Sequence, residues 1–178
     1  MRGRTGWIVG TLIAVVVAVV VAGVWLSPGR SSASRLNAAP LVGHLAPAFS
    51  LADIQGHTVS LRQYSRHIVL LDFFATWCRP CRQEMPLLGR LYRAHHPAVE
   101  ILAIDENEPR SDVATFARDL NLPFAPLLDP SLEAWRRYGI DLQPVSYWID
   151  GTGTIRAIHY GPMDPSYVRH ELNALQVT

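Results

Sequence analysis

Ile68-Val69-Leu70-Leu71-Asp72-Phe73-Phe74-Ala75-Thr76-Trp77-Cys78-Arg79-Pro80-Cys81 sets an apolar run directly against a pair of cysteines. Residues 68–74 are apolar at both odd and even positions, Asp72 excepted, as expected of a strand covered on both faces of a sheet. A helical pattern starts near Arg79 and runs to His95. Met85, Leu88, Leu91 and Tyr92 recur at spacings of three and four and leave Arg82, Arg90 and Arg93 for solvent. Pro80 fits the first turn of that helix, whereas Pro86 lacks an N–H inside it and predicts a kink. Cys78 and Cys81 are the only cysteines among 178 residues, so thiol chemistry has one place to occur.

Disulfide exchange needs a thiolate, and a free cysteine with a pKa of ~8.5 is mostly protonated at neutral pH. Cys78 stands where the helix begins, and unpaired N–H groups there favour an anion. Arg79 adds a positive charge, while Trp77 and Pro80 shield the flanks and leave the sulfur at a surface. Cys81, one turn on, points inward. Cys78 is therefore the expected attacking cysteine and Cys81 the resolving one. A zinc site would need two further ligands, and the adjacent His95 and His96 sit at the far end of the helix. A purely structural disulfide across one turn closes too small a loop to stabilise much.

Upstream, Trp7 to Leu26 contains twenty residues without a charge. At ~1.5 Å per residue they reach ~30 Å, the hydrocarbon thickness of a bilayer. Arg2 and Arg4 precede the run, which assigns residues 1–6 to the cytoplasm and everything after residue 26 to the outside. A single transmembrane anchor over 7–26 is expected. A cleaved signal peptide ending near Ser31-Ser32-Ala33 is the rival, although the run exceeds the roughly 7–15 apolar residues of such a segment. Residues 27–40, rich in Ser, Ala, Pro and Gly, read as a linker, and 41–178 as one domain. That cell-membrane location puts the cysteines in an extracytoplasmic setting.

All sixteen basic residues are Arg, so lysine and Schiff-base chemistry is excluded. Residues 27–178 carry 14 Arg against 15 Asp or Glu, and no basic stripe supports nucleic-acid binding. Alternation in 48–51 and 58–61 predicts a hairpin around Asp53-Ile54-Gln55-Gly56. Strands are expected at Val99 to Ile104, Phe124 to Leu128, Val145 to Ile149 and Thr154 to His159, the last two joined by a turn at 150–153. Helices are expected from a cap at Ser111 or Asp112 to Leu120, from Asp129 or Ser131 to Gly139, and over 165–175 behind Asp164. Alternating strands and helices give an α/β fold with a mixed central sheet and an N-terminal hairpin.

Trp77-Cys78-Arg79-Pro80-Cys81 between an apolar strand and a helix resembles the thioredoxin fold. The apolar N-terminal run, Ala46-Pro47-Ala48-Phe49-Ser50-Leu51, Cys81-Arg82-Gln83-Glu84-Met85-Pro86 and Tyr138-Gly139-Ile140 followed by Pro144 resemble the membrane-anchored TlpA/ResA-like thiol–disulfide oxidoreductases. The likeness covers residues 44–175. It implies that Pro144 is a cis-proline against the disulfide. With Gln143, Trp77, Arg79 and Pro80, it would form the substrate-binding edge. It also implies that Asp72 is a buried acid beneath the dithiol and that Glu84 lies beside the disulfide and tunes thiol acidity. Leu142, Gln143 and Val145 depart from the residues common around that proline. The implied activity is reduction of protein thiol/disulfide substrates, including apocytochrome c in cytochrome c maturation. The electrons would come from a membrane thiol donor, and no cofactor beyond the Cys78–Cys81 disulfide is expected.

Asp105-Glu106-Asn107-Glu108, after a strand, reads as a solvated loop; its place at the C-terminal end of a parallel strand offers the alternative that it borders the active-site face. There are two alternatives for the function, of which the first shares the fold. A peroxiredoxin-type peroxidase places a threonine three residues before its cysteine, whereas Thr76 is two before. A copper-binding Sco-like assembly chaperone uses C-x-x-x-C and a distal His, one residue wider than the pair here.

Overall fold

The computed structural model describes residues 39–177. The expected anchor at 7–26 and all but the end of the linker lie outside the described residues. Among the described residues no helix is long and apolar enough to cross a membrane.

Seven strands form one mixed sheet: β1 (Ser50–Asp53), β2 (Thr58–Ser60), β3 (Ile68–Phe74), β4 (Val99–Asp105), β5 (Leu127–Leu128), β6 (Val145–Ile149) and β7 (Ile155–Tyr160). Their spatial order is β2-β1-β5-β4-β3-β6-β7. β3 pairs in parallel with β4, and β4 with β5. β6 runs antiparallel to β3, and β7 antiparallel to β6. The N-terminal hairpin joins at the opposite edge, where β1 runs antiparallel to β5. The helices are α1 (Arg79–His95), α2 (Arg110–Asp119), α3 (Glu133–Tyr138) and α4 (Pro165–Ala174).

The period of two along β3 divides the core. Leu70 and Phe74 pack on one face with Met85, Leu88 and Leu91 of α1, Val113 and Phe116 of α2, and Val168 and Leu172 of α4. Val69, Leu71 and Phe73 pack on the other with Ala134, Trp135 and Tyr138 of α3, and with Leu51 and Val59 of the hairpin. Asp72, between Leu70 and Phe74 in parity, therefore belongs to the face that carries α1 and both cysteines.

Several boundaries differ from expectation. The first hairpin strand runs Ser50–Asp53 instead of 48–51, while the second starts at Thr58 as expected; between them the Asp53 carboxylate accepts from the Gln55 and His57 N–H groups and fixes the turn. Leu61–Tyr64 forms a 3-10 turn that the alternation had not signalled. Neither Ser111 nor Asp112 caps α2. Pro109 occupies that position in an extended conformation, and Asp112 falls in the first turn, where a negative charge suits the helix dipole. β5 shrinks to two residues, since Pro123 and Pro126 have no N–H to give a ladder. Asp129 does serve α3, accepting from the Glu133 and Trp135 N–H groups, but the helix itself starts at Glu133 after Leu132 in the left-handed region. Pro86 lies inside α1 on its exposed side, where water can reach the carbonyl it leaves unpaired.

Candidate active site

Three loops meet at one end of the sheet because of strand direction. β3 and β4 both end there, with Phe74 opposite Asp105, and antiparallel β6 begins there, with Phe73 opposite Val145. Residues 75–78, 105–108 and 143–144 are thus neighbours at the C-terminal ends of parallel strands, where ligand sites of α/β sheets collect.

Cys78 and Cys81 form a disulfide with a Cα–Cα distance of 5.3 Å. Cys78 is the N-cap of α1, and the Cys81 N–H donates to its Sγ at 3.2 Å. That donor would remain for a thiolate after reduction. The sulfur is less open than the sequence implied: Cys78 is 5% exposed and Cys81 fully buried. Trp77 beside it is 66% exposed. Arg79 is exposed and Pro80 half-buried. The Gln143–Pro144 peptide is cis, and the Gln143 carbonyl oxygen lies 3.9 Å from Cys78 Sγ. Leu142 and Tyr160 leave further apolar surface exposed on the same loops and the strand paired with them.

Asp72 and Glu84 are both buried, so neither is a solvated edge or surface carboxylate. Asp72 Oδ1 accepts from Ser146 Oγ at 2.8 Å, and its Oδ2 has no partner. Glu84 follows Cys81 by one helical turn on the buried side of α1. Its Oε2 accepts from the Met163 N–H at 2.9 Å, and its Oε1 has no partner. Burial raises the Asp72 pKa far above the ordinary carboxylate range, opposed by the Ser146 bond. Burial also raises Glu84, and the charge of Asp72 adds to it. Burial and mutual repulsion thus both favour the neutral, protonated form of these two carboxyls.

Residues 42–158 match the AhpC/TSA family. Over 136 residues the chain is 34% identical to the thiol–disulfide oxidoreductase ResA of Geobacillus thermodenitrificans, covering 76% of this chain and 78% of that one. The chain belongs to the ResA-like thiol–disulfide oxidoreductases of the AhpC/TSA family. The thioredoxin-like protein YneN of Bacillus subtilis is 33% identical over 135 residues, 74% of this chain and 78% of its own. Among solved structures, a DsbE-type thiol:disulfide interchange protein of Chlorobium tepidum superposes with a TM-score of 0.67 at 29% identity. That match covers 76% of this chain and 98% of the other. StoA from Bacillus subtilis gives 0.62 at 25% identity, covering 71% and 96%. The fold is thioredoxin-like, and Cys78–Cys81 is the C-x-x-C pair of a thiol–disulfide oxidoreductase.

One expectation for this oxidoreductase is corrected. Residues 105–108 border the disulfide cleft instead of forming a free solvated loop, with Asn107 alone of the four exposed. Asp105 is fully buried, its Oδ2 accepts from the Glu108 N–H at 2.7 Å, and its carbonyl accepts from Trp135 Nε1 at 3.2 Å. Burial, with Glu108 and Glu106 nearby, raises its pKa. Both Glu108 oxygens accept from Thr76, one from its N–H and one from its hydroxyl, each at 2.6 Å. The Thr76 hydroxyl is therefore committed to a carboxylate. Glu106 Oε2 accepts from Gln143 Nε2 at 3.2 Å. A charge run directly after a buried strand was the available signal. Ser146 and the Met163 N–H gave none, since their roles depend on strand pairing and on the approach to α4.

Proposed function

We propose that this oxidoreductase is a reductant of protein disulfides outside the cytoplasm. The buried Asp72–Glu84 pair is the observation that supports this direction most. A strong oxidant is one whose reduced, thiolate form is stabilised. Here the dithiol has the helix N-terminus and Arg79 in its favour. Against it stand two buried acids, and any charge on either repels a thiolate at the dithiol. That balance disfavours the thiolates and favours the disulfide once electrons have been passed on.

The reduced Cys78 thiolate attacks one sulfur of a substrate disulfide, forming a mixed disulfide and releasing one substrate thiolate. Cys81 gives its proton to the Asp72–Glu84 pair and attacks Cys78 Sγ. The Cys78–Cys81 disulfide forms, and the second substrate sulfur leaves and takes up a proton. Two electrons pass to the substrate. Trp77, Arg79, Pro80, Gln143 and Pro144 line its approach. An external dithiol must then restore the pair.

The resemblance to TlpA/ResA-like proteins supports apocytochrome c as substrate and a membrane thiol protein as donor. The Trp7–Leu26 stretch supports anchoring with residues 1–6 cytoplasmic. No cofactor beyond the disulfide is required. The test is insulin reduction by the pre-reduced chain, expected to yield two new substrate thiols per oxidised chain. Failure to reduce insulin, together with tight stoichiometric copper binding by the reduced protein, would point instead to a metallochaperone.

A further inference from the structure

Pro144 and Gln143 offer different things to a substrate. The Pro144 carbonyl is committed, accepting from the Gly161 N–H at 2.9 Å. Among the described residues no backbone donor takes the Gln143 carbonyl, so it is the open acceptor on this edge, 3.9 Å from Cys78 Sγ. The side chain of the same residue is tied down by Glu106.

Glu106 is itself held firmly. Its N–H donates to the Phe74 carbonyl at 3.1 Å. Asp105, just before it, is buried and bonded to Trp135 and to the Glu108 N–H, and Glu108 grips Thr76. One loop thus holds both walls around Cys78. Glu108 fixes the wall that carries Thr76 and Trp77, and Glu106 fixes the wall that carries Gln143 and Pro144.

We propose that Glu106 is a positioning residue for disulfide exchange with peptide substrates. Its carboxylate holds the Gln143 side chain and so keeps the Gln143 carbonyl turned to accept an N–H from an extended substrate segment lying beside Cys78. The inference rests on the proposed use of the Gln143–Pro144 edge by substrates. It predicts that Glu106 matters for substrates with a backbone to pair and not for a small aromatic disulfide that has none.

The experiment compares wild type, Glu106→Ala, Glu106→Gln, Gln143→Ala and the Glu106→Ala/Gln143→Ala double variant of the full chain on insulin and on an aromatic disulfide. On insulin, Glu106→Ala and Gln143→Ala should each raise KM about three- to tenfold with kcat nearly unchanged, a loss of binding shared by ground and transition states. The double variant should be no worse than Gln143→Ala alone, because the two residues act as one unit. Glu106→Gln, whose amide oxygen can still accept, should recover wild-type KM, and the aromatic disulfide should react alike with wild type, Glu106→Ala and Glu106→Gln. Equal losses on both substrates, additive losses on insulin, or no loss at all would overturn the role of Glu106. If Glu106→Ala does not fold, Gln143→Ala and Glu106→Gln carry the same contrast. A wild-type chain that reduces neither substrate defeats the oxidoreductase mechanism itself, and this inference with it.

Discussion

Asp72 and Glu84 lie on the α1 face of the sheet, each with one oxygen bonded and one without a partner. Glu106 and Glu108, beside the same disulfide, give their carboxylates to Gln143 and Thr76 on the two walls of the cleft. The first pair is buried and short of donors, so its members gain most by holding a proton. The second pair is half-buried and supplied with donors, so it gains by fixing geometry. In the mechanism proposed above, carboxylates at one site are thereby divided between proton handling and positioning.

The largest effect should come from the residue that the buried pair serves. Cys81→Ala should abolish turnover and leave a mixed disulfide through Cys78, detectable by mass as a one-to-one adduct with substrate. An adduct that survives Cys78→Ala instead would reverse the assigned roles. Next, Glu84→Gln and Asp72→Asn should slow release from the mixed disulfide by about 10²-fold, the usual scale of a positioned acid or base. Stopped-flow release rates should also lose their pH dependence, whereas Glu108→Ala should leave that dependence in place.

The same pair sets a sign for stability. A carboxyl whose pKa is raised by folding binds its proton more tightly in the native state. Its stabilising effect is complete below the unfolded value of ~4 and is lost as pH rises through neutrality. Denaturation of the oxidised protein should therefore become easier with rising pH between about 5 and 9, and Asp72→Asn should flatten that slope. An unchanged slope would mean that Asp72 is not among the buried acids responsible. Glu108→Ala should cost about 1–3 kcal/mol in chemical denaturation, because it leaves the Thr76 N–H and hydroxyl without their acceptor.

Much of the fold was legible because its signals are local. Ile68–Phe74, Arg79–His95 and Val145–Ile149 have the bounds that apolar runs and helical spacing gave them. Asp164 caps α4 by accepting from the Ser166 and Tyr167 N–H groups. The two cysteines were equally plain. What stayed hidden depends on contacts between distant segments. Ser146 reaches Asp72 because β6 runs antiparallel to β3 in one register, and a shift of one residue would turn it away. The burial of Asp105 depends on Trp135 and β3, so a charged tetrapeptide looked like surface until the sheet was assembled. Gln143 gave a related lesson. Beside the proline it read as an unusual substrate-facing residue, and its partner Glu106 lies 37 positions away.

The direction of electron flow is the central claim, and the equilibrium reduction potential of Cys78–Cys81 against a glutathione or dithiothreitol buffer tests it most directly. A reductant whose thiolates are held down by buried acids should lie near the ~−270 mV of thioredoxin. A potential near the ~−120 mV of a dedicated oxidase would contradict it, because the surroundings of Asp72 and Glu84 would then be stabilising the reduced pair.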